Sequence, residues 1–355
     1  MTTPYSDLSE AAFWRTAVAE KNPLQIRGLW SPKIRFKRRD KIVTAGSCFA
    51  QHIGNALSDR GYNWFDAEPA PKLMPQKIRR DFGYGVFSFR TGNIYTARML
   101  LQWLELAYGL RDPIDMVWEE DGRFYDPLRP AIEPGGFESR EEVLASRNAT
   151  LSAIRKAVEE TDVFVFTLGL TESWQNIEHG FEYAICPGTV AGAFNEETDV
   201  FLNHNMESIL QDMLSVLKLL REKNSALNVL LTVSPVPLTA TASGKHVLTA
   251  TTYSKSVLRA VAGQLSDGQA NVDYFPSYEI ITSPPYRAMF YGANMRSVVL
   301  EGVAVVMDNF FHDQEAAFGV ERDDSASAAK PKAKSKPKGH RAVQCEEEIL
   351  GAFAR

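Results

Sequence analysis

Four short apolar runs along the chain are separated by long stretches in which apolar residues recur at helical spacing. The first run is β-branched and ends in small residues, and it is followed by Phe49, Ile53 and Leu57, which share one face of a helix. This pattern predicts a strand, a tight turn and a helix. The apolar runs, all of them predicted strands, are residues 41–48, 162–168, 228–233 and 271–275.

The stretches between these runs predict helices, and the order of the elements predicts a fold class. Near-continuous apolar strands that alternate with helices are typical of a parallel sheet covered on both faces. We therefore predict one α/β domain over residues 38–315, preceded by an irregular arm over 1–37 with a short helical piece around 11–20. The predicted helices of the domain are residues 49–58, 96–108, 138–160, 206–223, 253–267 and 298–312.

The C-terminal part of the chain has a different composition. Residues 321–341 have almost no large apolar side chain and are rich in Lys and Pro, so burial cannot offset the entropy lost on ordering. The sequence predicts a disordered, extended linker over 316–344. Residues 345–355 are predicted to form a short helix, which either docks back on the domain or binds a protein partner.

Composition narrows the class of protein and its compartment. Of the 355 residues, 45% are hydrophobic and 23% are charged, as in ordinary globular proteins, and the net charge of −5 argues against a general nucleic-acid binder. Cys48, Cys186 and Cys345 lie far apart without a CxxC pair, which predicts free thiols and no zinc site. The chain has neither a signal-like start nor an apolar run of about 18 residues, so we expect a cytoplasmic protein without a membrane span.

Polar and small residues follow the predicted strands at the end where parallel sheets carry their chemistry. In an open parallel sheet, reactive groups collect just beyond the carboxyl ends of the strands. We therefore expect these segments to meet at one edge of the sheet, together with the loop 90–95 that precedes a predicted helix. The segments at the strand ends are 46–48, 169–172, 234–237 and 276–279.

Five blocks, in order, resemble a known family. Gly46-Ser-Cys-Phe-Ala50 is similar to the motif that names the GSCFA family, and the resemblance covers roughly residues 38–315. That family is grouped with the SGNH (GDSL-like) hydrolases, which implies a three-layer, flavodoxin-like parallel sheet with helices on both faces. The other blocks similar to those of the family are 91–98, 167–172, 232–237 and 274–279.

The resemblance implies a nucleophile at the end of the first strand. Cys48 stands where SGNH hydrolases carry their serine, and Ser47 is the second candidate. A thiol at a helix N-terminus lies in the positive end of the helix dipole, which favours the reactive thiolate. The alternative is a small buried cysteine that only packs the tight turn.

The resemblance also implies donors for an oxyanion. Gly92 and Asn93 match the block that supplies backbone and amide N–H groups, although Asn93 could instead cap the following helix. Gly169, Thr171 and Glu172 replace the usual Gly-x-Asn-Asp, so the Thr171 hydroxyl is expected to donate where an Asn amide would. Glu172 would orient a histidine or bind a substrate hydroxyl, or it is only an acid at a helix start.

The chain departs from the pattern at the Asp-x-x-His pair. Asn294-Met-Arg-Ser297 stands in that place and has neither a carboxylate nor an imidazole. A base must come from elsewhere, and the candidates are His246, in the loop after the 228–233 strand, and then His52, one helical turn beyond Cys48. An ordinary capping or surface histidine is the alternative for both. No cluster of ligands has metal spacing, and we expect neither a metal nor a cofactor.

These features predict an acyl-transfer enzyme, either an O-acyl esterase or an acyltransferase, acting on a carbohydrate or a related small molecule. A second hypothesis is a binding protein for carbohydrates or nucleotide-sugars that kept the cleft and lost catalysis. A third is a scaffold whose C-terminal element recruits a protein partner. The sequence does not choose between hydrolysis and transfer.

Overall fold

Strands and helices alternate through the residues that the computed structural model describes, which are 3–320, 343 and 345–354. The strands are β1 (Ile42–Gly46), β2 (Trp118–Glu120), β3 (Arg123–Tyr125), β4 (Val163–Leu168), β5 (Glu172–Asn176), β6 (Phe181–Glu182), β7 (Asp199–Asn203), β8 (Asn228–Val233) and β9 (Val272–Tyr274). The α-helices are α1 (Phe49–Asp59), α2 (Ala97–Ala107), α3 (Arg140–Glu160), α4 (Met206–Lys223), α5 (Val247–Gly268), α6 (Ser277–Thr282) and α7 (Leu300–Phe318).

A four-stranded parallel sheet forms the centre of the fold, in the order β1-β4-β8-β9. Each of its strands lies in one of the four apolar runs. Nearly every residue in the sheet is buried, because helices cover both faces. The predicted parallel α/β architecture is confirmed.

Alternate residues of the strands enter two separate cores, which gives the fold three layers. Val43, Phe164 and Leu231 belong to the larger core, under α2, α3, α4 and α5. Ile42 and Val165 point the other way, into a core with residues of α1, α6 and α7. The sheet is thus the middle layer of a three-layer α/β fold.

The free edge of β1 carries one more short extended segment. Ile42 donates its N–H to the Asn63 carbonyl at 3.0 Å, and Phe65 donates its N–H to the Ile42 carbonyl at 2.8 Å. Trp64 pairs with Ile42 in a single parallel bridge. This segment extends the sheet by one bridge rather than by a fifth full strand.

Side-chain caps set the start of most long helices. Thr96, Ser139 and Asn205 accept N–H bonds from the first turns of α2, α3 and α4, as these residue types commonly do. His246 does the same for α5, which therefore begins at Val247, six residues before the predicted start at 253. Helix α7 begins at 300 and continues to 318, beyond the predicted end at 312.

The excursion after β4 was not predicted as a sheet. Strands β5, β6 and β7 form an antiparallel sheet in the order β6-β5-β7, and β2 pairs with β3. Glu172 is the first residue of β5, so the alternative interpretation of Glu172 as a helix-start acid is wrong. The strands are short and contain polar residues, which is why they lack the apolar runs of the central sheet.

The N-terminal arm is irregular but packs firmly on the domain. Apart from short 3-10 and π turns it has no regular structure. Trp30 is buried, stacks on Phe310 of α7 at 5.2 Å between ring centroids, and donates its backbone N–H to Asp313 at 3.1 Å. Its indole N–H donates to Asp273 at 3.3 Å. The arm is thereby part of the second core.

At the C-terminus, residues 346–353 form a 3-10 helix that lies against the domain. We refer to residues 345–354 as the C-terminal segment. Most of the predicted linker, residues 321–342 and 344, lies outside the described residues. Within the part of the chain that the structure describes, every helix is too short or too polar to cross a bilayer.

Candidate active site

The turn after β1 is held tightly against its neighbours. Gly46 has a φ of +129°, and a Cβ on it would lie 2.4 Å from the Thr167 carbonyl oxygen, so only glycine fits. The Ser47 N–H donates to that same carbonyl at 3.0 Å, and the Ile94 N–H donates to the Gly46 carbonyl at 2.8 Å. These contacts fix the first residues of α1 beside the loop that contains Asn93.

Cys48 lies at the start of α1 and lines a cavity of about 470 Å³. His52 and Arg296 line the same cavity, together with Cys345 of the C-terminal segment. Ser47 is buried, its Oγ has no hydrogen-bond partner among the described residues, and it is absent from this cavity wall. Cys48 and not Ser47 therefore faces the open space.

Cys48 and Cys345 line the same cavity, and each thiol is the largest influence on the pKa of the other. The interaction with Cys345 and burial raise the pKa of Cys48 well above its usual value. The interaction with Cys48 lowers the pKa of Cys345 to about 7, with support from Arg296, whose Nη2 lies 3.8 Å from the Cys345 Sγ. With the C-terminal segment in this position, the lowered pKa belongs to Cys345 and not to Cys48.

Gly92 and Asn93 lie around a carboxylate. Asn93 is buried and donates both its Nδ2–H, at 2.9 Å, and its backbone N–H to the Glu346 carboxylate. Gly92 has a φ of +69°, and a Cβ there would lie 2.7 Å from Glu346 Oε1. Thr96, not Asn93, caps α2, so the capping alternative for Asn93 is wrong. Burial raises the pKa of Glu346 to about 7 despite these donors.

Gly169 approaches the turn closely, but Thr171 points elsewhere. A Cβ on Gly169 would lie 3.0 Å from the Ser47 Cβ. The Thr171 hydroxyl donates to Asn203 Oδ1 at 2.8 Å and is fully buried, so it is not available to an oxyanion here. Its hydrogen bond across the β5–β7 sheet explains why the expected donor role is not seen.

Glu172 belongs to a second, apolar cavity of about 270 Å³. Its carboxylate accepts the Thr241 hydroxyl at 2.7 Å, and burial raises its pKa. Leu350 and Phe353 of the C-terminal segment line the same cavity. Glu172 is thus close to this segment but does not line the Cys48 cavity.

Two cations lie near Cys48. Arg296 donates to Glu347 at 2.9 Å, and Glu347 also accepts the Thr239 N–H at 2.7 Å. Lys255 is fully buried, donates to the Gly169 carbonyl at 2.7 Å, and has a pKa lowered to about 8 by burial. Arg296 comes from the block where Asp-x-x-His was expected, and the sequence interpretation overlooked it. The signal was an arginine in that block.

The structure separates the two candidate histidines. His246 is exposed, and its Nδ1 accepts the Leu248 N–H at 3.2 Å, so it caps α5 and does not line the Cys48 cavity. His52 lines that cavity beside Cys48, with its ring 5.6 Å from that of Phe49. Of the two candidates, His52 and not His246 therefore lies in the wall of the Cys48 cavity. In the described parts of the chain, no group of three or more His, Cys, Asp or Glu side chains could hold a metal ion.

Comparison with models of known protein families identifies the family of the chain. The model of the GSCFA family matches residues 41–310, a span that contains the central sheet, Cys48, Asn93 and Arg296. Cys345 and the rest of the C-terminal segment lie outside that span. No curated protein matches the chain at a significant level. With most of its length matched by one family model, the chain belongs to the GSCFA family.

Proposed function

We propose that the protein catalyses acyl transfer, as an O-acyl esterase or an acyltransferase, on a carbohydrate or a related small molecule. One observation carries the proposal: both N–H donors of Asn93 converge on a single carboxylate, that of Glu346, whose chain neighbour Cys345 lines the Cys48 cavity. Such donors suit the oxygen of a carbonyl under attack, which becomes negative in the transition state. The Glu346 carboxylate occupies the place where that oxygen would lie.

The nucleophile in this proposal is the Cys48 thiolate, formed when the C-terminal segment is displaced. Displacement removes the interaction with Cys345, which is the largest cause of the raised pKa of Cys48. Arg296 lowers that pKa, and Lys255 interacts favourably with the Cys48 charge. The cleft thus favours thiolate without the missing Asp-x-x-His pair.

The reaction then needs two proton transfers. The Cys48 sulfur attacks the acyl carbon, the bond to the leaving oxygen breaks, and that oxygen takes a proton from His52, which lines the same cavity. A water molecule or a second hydroxyl next attacks the thioester, returns a proton to His52 and releases the Cys48 thiolate. Water gives hydrolysis, and a second hydroxyl gives transfer.

The test is intact-mass spectrometry after brief exposure of the full chain to p-nitrophenyl acetate. We expect one acetyl adduct on the wild type and on the control Cys186→Ser, and no adduct on Cys48→Ala. Asn93→Ala should slow adduct formation by about 10²–10³-fold, as loss of an oxyanion donor typically does. An adduct that forms at the same rate on Cys48→Ala would rule out this mechanism.

A second candidate is a catalytically inactive binding protein for carbohydrates or nucleotide-sugars. The observation that favours it is the pair of cations at the cleft, with Arg296 bound to a carboxylate, together with the raised pKa of Cys48. A phosphate of a nucleotide-sugar would suit these cations. This candidate predicts that nucleotide-sugars raise the melting temperature and are recovered unchanged; conversion of the ligand would exclude it.

A further inference from the structure

The C-terminal segment is held on the cleft by side chains from several elements. Glu346 accepts two bonds from Asn93, and Glu347 accepts bonds from Arg296 and Thr239. The Glu347 N–H also donates to the Tyr95 hydroxyl at 3.3 Å. The segment therefore has a defined register, and that register brings Cys345 to Cys48.

We propose that Cys48 and Cys345 form a reversible redox pair, in which a peroxide converts the two thiols to a disulfide that fixes the C-terminal segment over the cleft. The proposal does not depend on acyl transfer, because it requires only the two thiols in the wall of one cavity.

The chemistry divides between the two sulfurs. The Cys345 thiolate attacks one oxygen of hydrogen peroxide, the O–O bond breaks, and Cys345 becomes a sulfenic acid while hydroxide leaves and is protonated to water. The Cys48 sulfur then attacks the Cys345 sulfur, the S–O bond breaks, and a second water leaves with the Cys48 proton. In sum, two thiols and one peroxide give one disulfide and two waters.

The surroundings of each thiol support this division. Cys345 has the lowered pKa, near 7, and the guanidinium of Arg296 next to it, which are the features of an oxidation-sensitive thiolate. Cys48 lines the same cavity as Cys345, so it is placed for the second, resolving step. Oxidation of Cys345 also removes the thiolate that raises the pKa of Cys48. Cys186 lines the other cavity, and burial raises its pKa to about 11, which makes it a poor nucleophile.

The disulfide would change what the cleft can do. It joins the end of β1 to the C-terminal segment by a covalent bond, and the carboxylates of Glu346 and Glu347 then stay on Asn93 and Arg296. Cys48 is no longer a free thiol. A thiol reductant would reverse both effects by thiol–disulfide exchange.

The experiment treats the reduced full chain with one equivalent of hydrogen peroxide and maps the peptides without reduction. We expect a cross-linked peptide pair that contains Cys48 and Cys345, with loss of two hydrogens from the intact mass and recovery on adding dithiothreitol. The control Cys186→Ser should form the same pair at the same rate. In Cys345→Ser the cross-linked pair is lost, and oxidation leaves no disulfide between Cys48 and residue 345.

Other outcomes would overturn the proposal. These are a wild-type chain that gains oxygen without a cross-link, or a cross-link that involves Cys186. Circular dichroism of Cys345→Ser checks that this variant is folded. If it is not, the peptide maps of the wild type and of Cys186→Ser still test whether Cys48 and Cys345 form the disulfide. The acetyl-adduct test uses the reduced chain and measures acylation of Cys48, with no disulfide involved. A chain that forms no disulfide but still forms the adduct would contradict the redox proposal alone, and the opposite result would contradict the acyl-transfer proposal alone.

Discussion

At the scale of single residues, protons on a few side chains control how the C-terminal segment binds. Glu346 has a raised pKa in the docked form, about 7 against an ordinary 4.5, whereas the pKa of Cys345 is lowered from 9.0 to about 7. A carboxyl with a raised pKa keeps its proton in the docked form, and a thiol with a lowered pKa releases it there. The two groups therefore give docking opposite dependences on pH.

We predict that docking of the segment is weakest near pH 7. As the pH rises from about 4.5 to about 7, the free segment loses the Glu346 proton before the docked one does, and docking weakens. From about pH 7 to about pH 9 the docked Cys345 loses its proton before the free one does, and docking strengthens. Above about pH 9 docking weakens again, because the raised pKa of Cys48 in the docked form opposes loss of the Cys48 proton. Hydrogen exchange of residues 345–354, corrected for the intrinsic effect of pH, should show least protection near neutrality.

The matched variants separate the two groups. Glu346→Gln should lose the gain in protection toward acid and keep the gain on the alkaline side, since its amide does not titrate. Cys345→Ser should show the reverse. Protection of the wild-type segment that stays constant from acid to alkaline pH would contradict the assignment of these pKa shifts to docking.

At the scale of elements, the predicted bounds agree best with the structure where the pattern of apolar residues is strongest. Helix α4 and strand β8 have the predicted bounds, because apolar spacing and an Asn cap define the helix and an unbroken apolar run defines the strand. The start of α5 was missed because a histidine caps it, a residue type outside the usual cap set. The sheet of β5, β6 and β7 was missed because its strands are short and partly polar. Pairing between the strands stabilises them, and the pattern of a single strand does not show that pairing.

The turn between β1 and α1 gives a prediction for an element junction. Gly46→Ala should destabilise the protein in two ways. Alanine at a positive φ is strained, and the clash of its Cβ with the Thr167 carbonyl adds about 1–3 kcal/mol. Gly85→Ala is the control, because Gly85 also has a positive φ, +66°, but nothing lies within 4 Å of its added Cβ. It should cost only the backbone penalty of roughly 1–2 kcal/mol. Urea denaturation of both variants measures the difference, and equal losses would mean that the turn tolerates a side chain.

At the scale of the whole molecule, the N-terminal arm contributes to the core on the α7 side of the sheet. Trp30 is buried against Phe310 and Phe275, whereas Trp14 in the same arm is 66% exposed. We predict that Trp30→Ala lowers the free energy of unfolding by about 3–5 kcal/mol, the usual range for a buried aromatic. Trp14→Ala should change it by less than about 0.5 kcal/mol. Similar effects of the two substitutions in chemical denaturation would show that the arm is not part of the folded unit.

The site was predictable from the sequence where it depends on the sheet. The segments with Cys48 and Gly169 meet because parallel strands end at one edge, and this follows from the order of the elements. The loop with Gly92 and Asn93 is held there by the bond from the Ile94 N–H to the Gly46 carbonyl. Two parts of the site could not be predicted from the order of the elements. The side chain of Arg296 reaches the cleft from a loop, and the C-terminal segment reaches it through contacts between residues far apart in the chain. Neither position is encoded by periodicity or by a local motif.

The C-terminal segment has a kinetic consequence, since it and the cleft belong to one chain. Its binding is unimolecular, so dilution of the protein leaves the fraction of blocked clefts unchanged. A free ligand that needs Asn93 and Arg296 binds only molecules whose cleft is open, and its apparent dissociation constant is the intrinsic one divided by that open fraction. At saturating ligand concentration, the observed rate of ligand binding would then reach a plateau. The plateau would equal the rate at which the C-terminal segment dissociates from the cleft.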